Sequence, residues 1–396
     1  MNDERKKIIS QESDRCVRCG LCVPLCPTYM ISKQESESPR GRIALFKTLT
    51  ENQVLDNSVA DALNHCVGCM RCEAVCPSEV NYSDILHEGK ILLNQLKKSA
   101  PTPIWLKIFL LITTNHFLNK VFYQTLKFYQ KTLLRFTKIK LKPTNFYYQD
   151  FLPKLTNYIP FKKPQKNINA KKIALFRGCV TNLLDRQTLN DTASWLTDLG
   201  YDVEFSDFGC CGALMQHQGD ELSLQKQVKK NQRAIADKNY FAVINCASGC
   251  HQALQLAMPN KTPVFEMQDF LLQHLEQLKF QSYAKRVVIQ PACSQANQLK
   301  NLENTKKLLQ LVPDLQVLMP TQFNCCGAAG IYFLQYPDKA AQLGEQHLEN
   351  LLDLNPDVII SNNFGCTLQL SAHIKKQGLH VEMQSLVSFL YLLKVL

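Results

Sequence analysis

The feature that most constrains this chain is one cysteine run, present twice. Residues 16–27 read Cys-Val-Arg-Cys-Gly-Leu-Cys-Val-Pro-Leu-Cys-Pro, and residues 66–77 read Cys-Val-Gly-Cys-Met-Arg-Cys-Glu-Ala-Val-Cys-Pro. Both follow C-x2-C-x2-C-x3-C-P. Three thiolates at this spacing wrap one iron–sulfur cube, and the x3 step with its proline sends the fourth thiolate to a neighbouring cube. The expected ligand sets are therefore crossed. Cys16, Cys19, Cys22 and Cys76 would hold one [4Fe-4S] cluster; Cys66, Cys69, Cys72 and Cys26 would hold the other. Paired C-x2-C also binds zinc, but zinc takes four ligands in a closed tetrahedron. Two matching runs, each closed by Cys-Pro, fit two four-iron clusters better.

The chain has 396 residues and 17 cysteines, enough length for two or three domains. Its first residues, Met1 to Lys7, run into polar sequence with no apolar h-region, so no secretory signal is expected. A disulfide framework is disfavoured on the same ground, and a reducing cytoplasm is the expected setting. No stretch reaches the ~18–20 apolar residues of a spanning helix. The best candidate, Ile104 to Thr114, is too short and contains Lys107.

Formal charge is +11 and unevenly placed: Pro101 to Lys172 holds fourteen Lys or Arg against one acid, Asp150. Aromatic residues such as Trp105, Phe109, Phe117, Phe122 and Phe136 recur there, often three or four apart, which predicts helices with an apolar and a basic face. Two readings stand. The segment is a helical linker with a solvated lysine face, or a surface for anionic lipid or an acidic partner subunit. Nucleic acid lacks any accompanying recognition motif.

From Lys171 the texture changes to short apolar runs alternating with helical stretches, the mark of an open α/β unit. Ile173–Phe176 leads to Cys179, Val203–Phe205 to Cys210-Cys211-Gly212, and Phe241–Asn245 to Cys246 and Cys250. The same order returns: Val287–Ile289 leads to Cys293, then come Cys325-Cys326-Gly327, and Val358–Ser361 leads to Cys366. A near-constant offset of 114 to 116 residues over these landmarks is an internal duplication. Two further thiol sets follow. The first is Cys179, Cys210, Cys211 and Cys250, with Cys246 nearby; the second is Cys293, Cys325, Cys326 and Cys366. They are expected at the C-terminal ends of strands, where open α/β sheets hold ligands. Each set could bind an iron–sulfur cluster or zinc, or form buried uncharged core.

Together these give an α+β multidomain chain. A mainly helical two-cluster domain spans 1–98, a basic amphipathic helical linker 99–170, and two duplicated α/β domains 171–284 and 285–396. A catalytic Cys–His pair, such as Cys211 with His217 or Cys250 with His251, is outweighed by the paired thiol sets, and no catalytic residue is assigned.

The whole pattern resembles the glycolate oxidase iron–sulfur subunit family, which joins a two-cluster ferredoxin domain to tandem CCG domains. The marks here are Cys26-Pro27-Thr28-Tyr29, Pro39-Arg40-Gly41-Arg42-Ile43, Gly209-Cys210-Cys211-Gly212-Ala213 with His217 downstream, Ala247-Ser248-Gly249-Cys250 and Cys325-Cys326-Gly327-Ala328-Ala329-Gly330. Related architectures include the iron–sulfur subunits of anaerobic glycerol-3-phosphate dehydrogenase, lactate-utilisation proteins and a heterodisulfide reductase subunit. The last carries a closing C-x-x-C and an unusual four-iron cluster. Here Ala247 and Asn363 stand where that motif has its first cysteine, so the unusual cluster is not carried over. The resemblance implies an FAD-binding flavoprotein partner that oxidises a 2-hydroxy acid, with this chain passing electrons toward a quinone or other acceptor. Arg40, Arg42 and His217 are read as positioning residues. The expected location is cytoplasmic, with peripheral attachment to the inner membrane face as one use of the basic segment.

Overall fold

The computed structural model describes residues 2–52, 55–97, 103–131, 170–206, 208–258, 262–322 and 324–395. The N-terminal lobe is built from α1 (Asn2–Asp14), α2 (Pro27–Ser32), α3 (Pro39–Asn52), α4 (Asn57–Asn64), α5 (Arg71–Ala74) and α6 (Tyr82–Lys97). Proline opens α2 and α3, where its missing N–H would have had no helical partner anyway. Asp56 caps α4 by accepting from the Val59 N–H. Phe46, Leu49, Leu63, Ile85 and Leu93 form the lobe's apolar core, with Cys66 in the same cluster. Helix α6 begins at Tyr82, and Ser83 in its first turn gives its backbone N–H to the Glu73 side chain at 2.6 Å.

Helix α1 goes beyond what the sequence suggests, because its residues are mostly polar. It is fixed by Ile9 in the core and by buried Arg5, whose guanidinium meets Glu88 at 2.5 Å and Glu221 at 3.1 Å. α7 (Ile104–Thr114) and α8 (His116–Lys131) are helices, as expected for that part of the basic segment. Leu106 and Leu110 are buried against Cys179, Cys210 and Met215, while Ile104, Ile108, Leu111 and Phe117 are exposed. The rest of that segment, 132–169, lies outside the described residues. Among the described residues no helix is long and apolar enough to cross a membrane.

Two parallel four-stranded sheets follow. β1 (Lys172–Leu175), β2 (Asp202–Phe205), β3 (Ala242–Asn245) and β4 (Val264–Glu266) lie in the order β2-β1-β3-β4. β5 (Arg286–Ile289), β6 (Gln316–Leu318), β7 (Val358–Ile360) and β8 (Glu382–Gln384) lie in the order β6-β5-β7-β8. The registers match: Ile173 pairs with Val203 and Ala242, as Val287 pairs with Val317 and Val358. β4, β6 and β8 are additional to the strands read from the sequence. Each has three residues at a sheet edge, too few to show a two-residue period.

Strand alternation sends Ile173, Leu175, Val287 and Ile289 into one core shared by both sheets, and Ala174, Val243, Val288 and Ile359 to the outer faces. Trp195, fully buried on the helix Arg186–Asp198, belongs to that shared core. Its ring meets Phe280 and Tyr391 edge-on, Lys394 stands 4.8 Å above it, and Nε1–H donates to the Val387 carbonyl at 3.4 Å.

Trp195→Ala is expected to cost about 3–5 kcal/mol and to lower a single unfolding transition shared by both sheets. Two separate transitions, of which only one moves, would contradict a common core. A pH effect sits at the same interface. Burial pushes Glu266 up from 4.5 to about 7, against the hydrogen bonds it accepts from Asn301 and Gln268. Because the folded value is raised, its stabilising share is complete below pH 4.5 and lost as pH rises through 7. Glu266→Gln should flatten the stability profile across that window, read by denaturation at stepped pH.

Candidate metal centres

The N-terminal lobe has two recesses. The outer one, about 450 Å³ including open solvent, is lined by Cys16, Cys19, Cys22, Cys72 and Cys76. The inner one, about 310 Å³, is lined by Cys26, Cys66, Cys69 and Cys72. Both recesses mix the two runs: the outer joins three thiols of the first run to Cys72 and Cys76, the inner joins three of the second run to Cys26, and Cys72 lines both. Burial, with Cys16, Cys19 and Cys76 alongside, pushes Cys22 up to about 11. Cys69 and Cys72 are also driven well above the ordinary thiol value, first by burial and then by neighbouring thiols that include Cys26. Among the described residues no three His, Cys, Asp or Glu side chains form a cage for a single ion; the thiols are grouped by chain topology.

Arg42 lies against the inner recess. It is 1 % exposed, donates from Nε to the Ala62 carbonyl at 2.8 Å, and from Nη1 to Thr28 Oγ1 at 3.0 Å and Cys26 Sγ at 3.7 Å. Tyr82 donates to Cys66 Sγ at 3.6 Å. Gly41, between Arg40 and Arg42, has a local reason. A Cβ there would land on the Glu35 carbonyl oxygen, so only glycine lets α3 pass this close to residue 35. Arg40 lies at the surface, paired with Glu35 at 2.6 Å.

In the first α/β lobe Cys179, Cys210, Cys211 and Cys250 come together beyond the ends of β1, β2 and β3. Cys210 is held low by hydrogen bonds from Cys179 and Cys211, while Cys179 and Cys211 are correspondingly raised. Cys246 stays apart: it packs on the shared core and contacts Thr192 Oγ1 at 3.1 Å. In the second lobe Cys326 Sγ lies 2.8 Å from Cys366 Sγ, and both sense Cys325 and Cys293. Burial, then Cys325, raises Cys293 to about 12.

The inner recess and the second α/β set are neighbours. Cys69 packs in one cluster with Cys325 and Cys293, and Asn297 donates to the Cys69 carbonyl at 2.8 Å. The proximity is invisible in the sequence, because it joins residues more than 220 positions apart. His217 is wedged at the same junction. Its ring is the nearest group that a Cβ on Gly68 or on Gly330 would meet apart from Leu214 at the latter, and burial lowers it to about 3. Lys90, also buried, donates to the His217 carbonyl at 2.8 Å.

Comparison with known proteins agrees with this geometry. A 4Fe-4S dicluster domain matches residues 12–80, and a cysteine-rich domain matches residues 173–255 and again 287–371. The chain belongs with proteins that join a 4Fe-4S dicluster domain to a tandem pair of cysteine-rich domains. Over 96 % of its length it is 28 % identical to a probable glycolate oxidase iron–sulfur subunit of Bacillus subtilis, of which the match covers 93 %. Over 90 % it is 28 % identical to the glycolate oxidase iron–sulfur subunit of Escherichia coli, covering 89 % of that chain. A component of the fumarate reductase (CoM/CoB) of Methanothermobacter marburgensis is 23 % identical over 92 % of this chain and 68 % of its own.

The departure at Asn363 has a structural account. Its Oδ1 accepts from the Gly365 and Cys366 N–H groups and caps the helix Phe364–Lys376. Its Nδ2 lies 3.3 Å from Ser248 Oγ and 3.4 Å from Ser294 Oγ, and those two hydroxyls are 2.6 Å apart. The residue therefore ties the two cysteine-rich domains together beside both thiol sets.

Gly327, in the Cys-Cys-Gly turn of the second cysteine-rich domain, has φ +80°, and a Cβ there would meet the Ala340 carbonyl. Gly327→Ala should displace Cys325 and Cys326. Strain and clash together are expected to cost more than the ~1–2 kcal/mol of a left-handed alanine alone, measured by chemical denaturation; a cost below that would mean the turn is not tightly held.

Proposed function

We propose that this chain is the electron-transfer iron–sulfur subunit of a flavin-dependent dehydrogenase complex of the glycolate oxidase kind. The observation that supports the reading is that both recesses of the N-terminal lobe mix thiols of the two runs, Cys16, Cys19 and Cys22 with Cys72 and Cys76 in the outer, and Cys66, Cys69 and Cys72 with Cys26 in the inner. The ligand sets are Cys16, Cys19, Cys22 with Cys76, and Cys66, Cys69, Cys72 with Cys26. When bound, two [4Fe-4S] clusters supply one-electron carriers, while accepting a hydride from a 2-hydroxy acid needs a flavin.

The sequence holds no dinucleotide-binding glycine motif, so the FAD is assigned to a partner flavoprotein. The outer recess offers that partner a face: Cys19 is exposed, and Val17 and Leu21 stand out at 70 % and 58 % exposure. The inner recess leads the other way, through buried Cys69, to Cys293 and Cys325. This arrangement supports a direction from solvent to interior, with the second cysteine-rich set as the next stop and a quinone or other acceptor beyond. The exposed apolar side chains of α7 and α8, with Lys107 and Lys120 among them, support docking of the complex on a membrane or on the flavoprotein.

The deciding measurement is iron, sulfide and zinc content with electron paramagnetic resonance, on protein purified without oxygen. About eight irons, with reducible signals lost singly in Cys16→Ser and Cys66→Ser, is the expected result. Additional iron lost with Cys211→Ser or Cys326→Ser would add the cysteine-rich sets as redox centres, and zinc there would make them structural. Unchanged substrate turnover in the reconstituted complex after Cys16→Ser and Cys66→Ser would overturn the proposal.

A further inference from the structure

We infer that Arg42 orders the two recesses in energy, making the inner thiol set the better home for an electron and so directing flow inward. The inference rests on the reading that both sets hold clusters. It is carried by charge placement. The Arg42 guanidinium is buried and lies 3.7 Å from Cys26 Sγ. Burial works against its charge, and Cys66 is foremost among the groups that favour it. Its Nη2 finds no hydrogen-bond partner among the described residues. Among those residues the carboxylate paired with it is Glu37, 3.8 Å away and 3 % exposed.

Glu37 cannot cancel Arg42, because it is shared. Its Oε1 is 2.7 Å from His65 Nδ1 and 2.7 Å from Lys339 Nζ, a lysine contributed by the second cysteine-rich domain. Burial alone would raise Glu37, yet His65 and Lys339 bring it down to about 2, so it stays ionised. Arg42 and Lys339 thus share one carboxylate, which leaves the Arg42 guanidinium facing the inner set at Cys26. Lys90 is a further buried cation near Cys66, but its ammonium donates to the His217 carbonyl and burial brings it down to about 8. Arg42 stays charged throughout.

Among the described residues the outer recess has no equivalent. It is lined by Arg18, which is exposed, and by Arg40, which is 36 % exposed and matched one to one by Glu35. Water and salt screen such groups, whereas a buried charge acts through a poorly polarisable interior. Iron–sulfur potentials respond to net charge, to hydrogen bonds at the sulfurs and to solvent exposure. A reduced cluster carries one more negative charge than an oxidised one, so a fixed buried cation beside it favours the reduced form. The step concerned is transfer of one electron from the outer to the inner set. No bond is made or broken, and the electron comes from the flavin partner in the complex or from a chemical reductant in the test.

The test is a redox titration followed by electron paramagnetic resonance on the full chain, purified without oxygen. Cys16→Ser and Cys26→Ser assign the outer and inner signals. Arg42→Gln should shift electron sharing toward the outer set about tenfold, equivalent to about 59 mV for one electron. Glu37→Gln should move it in the opposite direction by a similar factor, and Arg42→Lys should leave it near wild type. General loosening of the lobe would not give opposite shifts. If Arg42→Gln fails to hold iron, Glu37→Gln and Arg42→Lys still decide. Shifts of the same sign in Arg42→Gln and Glu37→Gln, equal shifts of both signals, or no shift in Glu37→Gln would overturn the inference. Wild-type protein with fewer than two reducible centres in the N-terminal lobe would instead overturn the underlying reading, before any variant is measured.

Discussion

A thiol taken out of water keeps its proton unless positive charge stands beside it. Most of this protein's architecture answers that constraint. Cys69, Cys72 and Cys293 are each pushed up by burial, so the groups gathered around the recesses are poor anions when left to themselves. Metal capture by such sets needs deprotonated sulfur, and it therefore couples proton release to folding free energy. Fixed cations ease the same difficulty locally. Arg42 stands against Cys26 and Cys66, and the helices of the N-terminal lobe are arranged so that this guanidinium is enclosed rather than solvated.

The duplicated sheets solve a different problem, that of placing thiols accurately. Short parallel strands end side by side in each domain, and the loops leaving them need only a few residues to deliver a cysteine. The two domains are not beads on a string. They share one apolar core around Trp195, and Asn363 bonds to Ser248 and Ser294 across the seam between them. The N-terminal lobe is then locked on by polar contacts: Arg5 to Glu221, Asn94 to the Gln218 carbonyl, Asn297 to the Cys69 carbonyl and Lys339 to Glu37.

What can be read in the sequence is whatever is fixed by short-range spacing or by repetition. The crossing of Cys26 and Cys76 follows from the x3 step and proline, and the offset between Cys179 and Cys293 shows the duplication without any structure. Five runs, β1, β2, β3, β5 and β7, carry enough apolar residues to be seen. Edge strands of three residues do not, and a polar helix such as α1 shows little periodicity because its anchor is a charged pair with distant partners. Arg42 is marked by its motif, but its burial depends on Ala62 and Thr28 arriving from other helices. The pairing of the inner recess with the second cysteine-rich set, rather than the first, is a matter of domain docking and leaves no trace in local sequence.

Lys339 reaching back to Glu37 and His65 has a consequence for how the protein is made. Synthesis runs from the N-terminus, so the segment holding both cysteine runs leaves the ribosome long before residue 339 exists. Tyr332, Ala340 and Leu343, which pack in one cluster with Cys69, are among the last parts to emerge. During that interval Cys69 lacks this cover. Docking of the second cysteine-rich domain then packs over Cys69, so the end of the chain made last supplies the cover for a thiol made first.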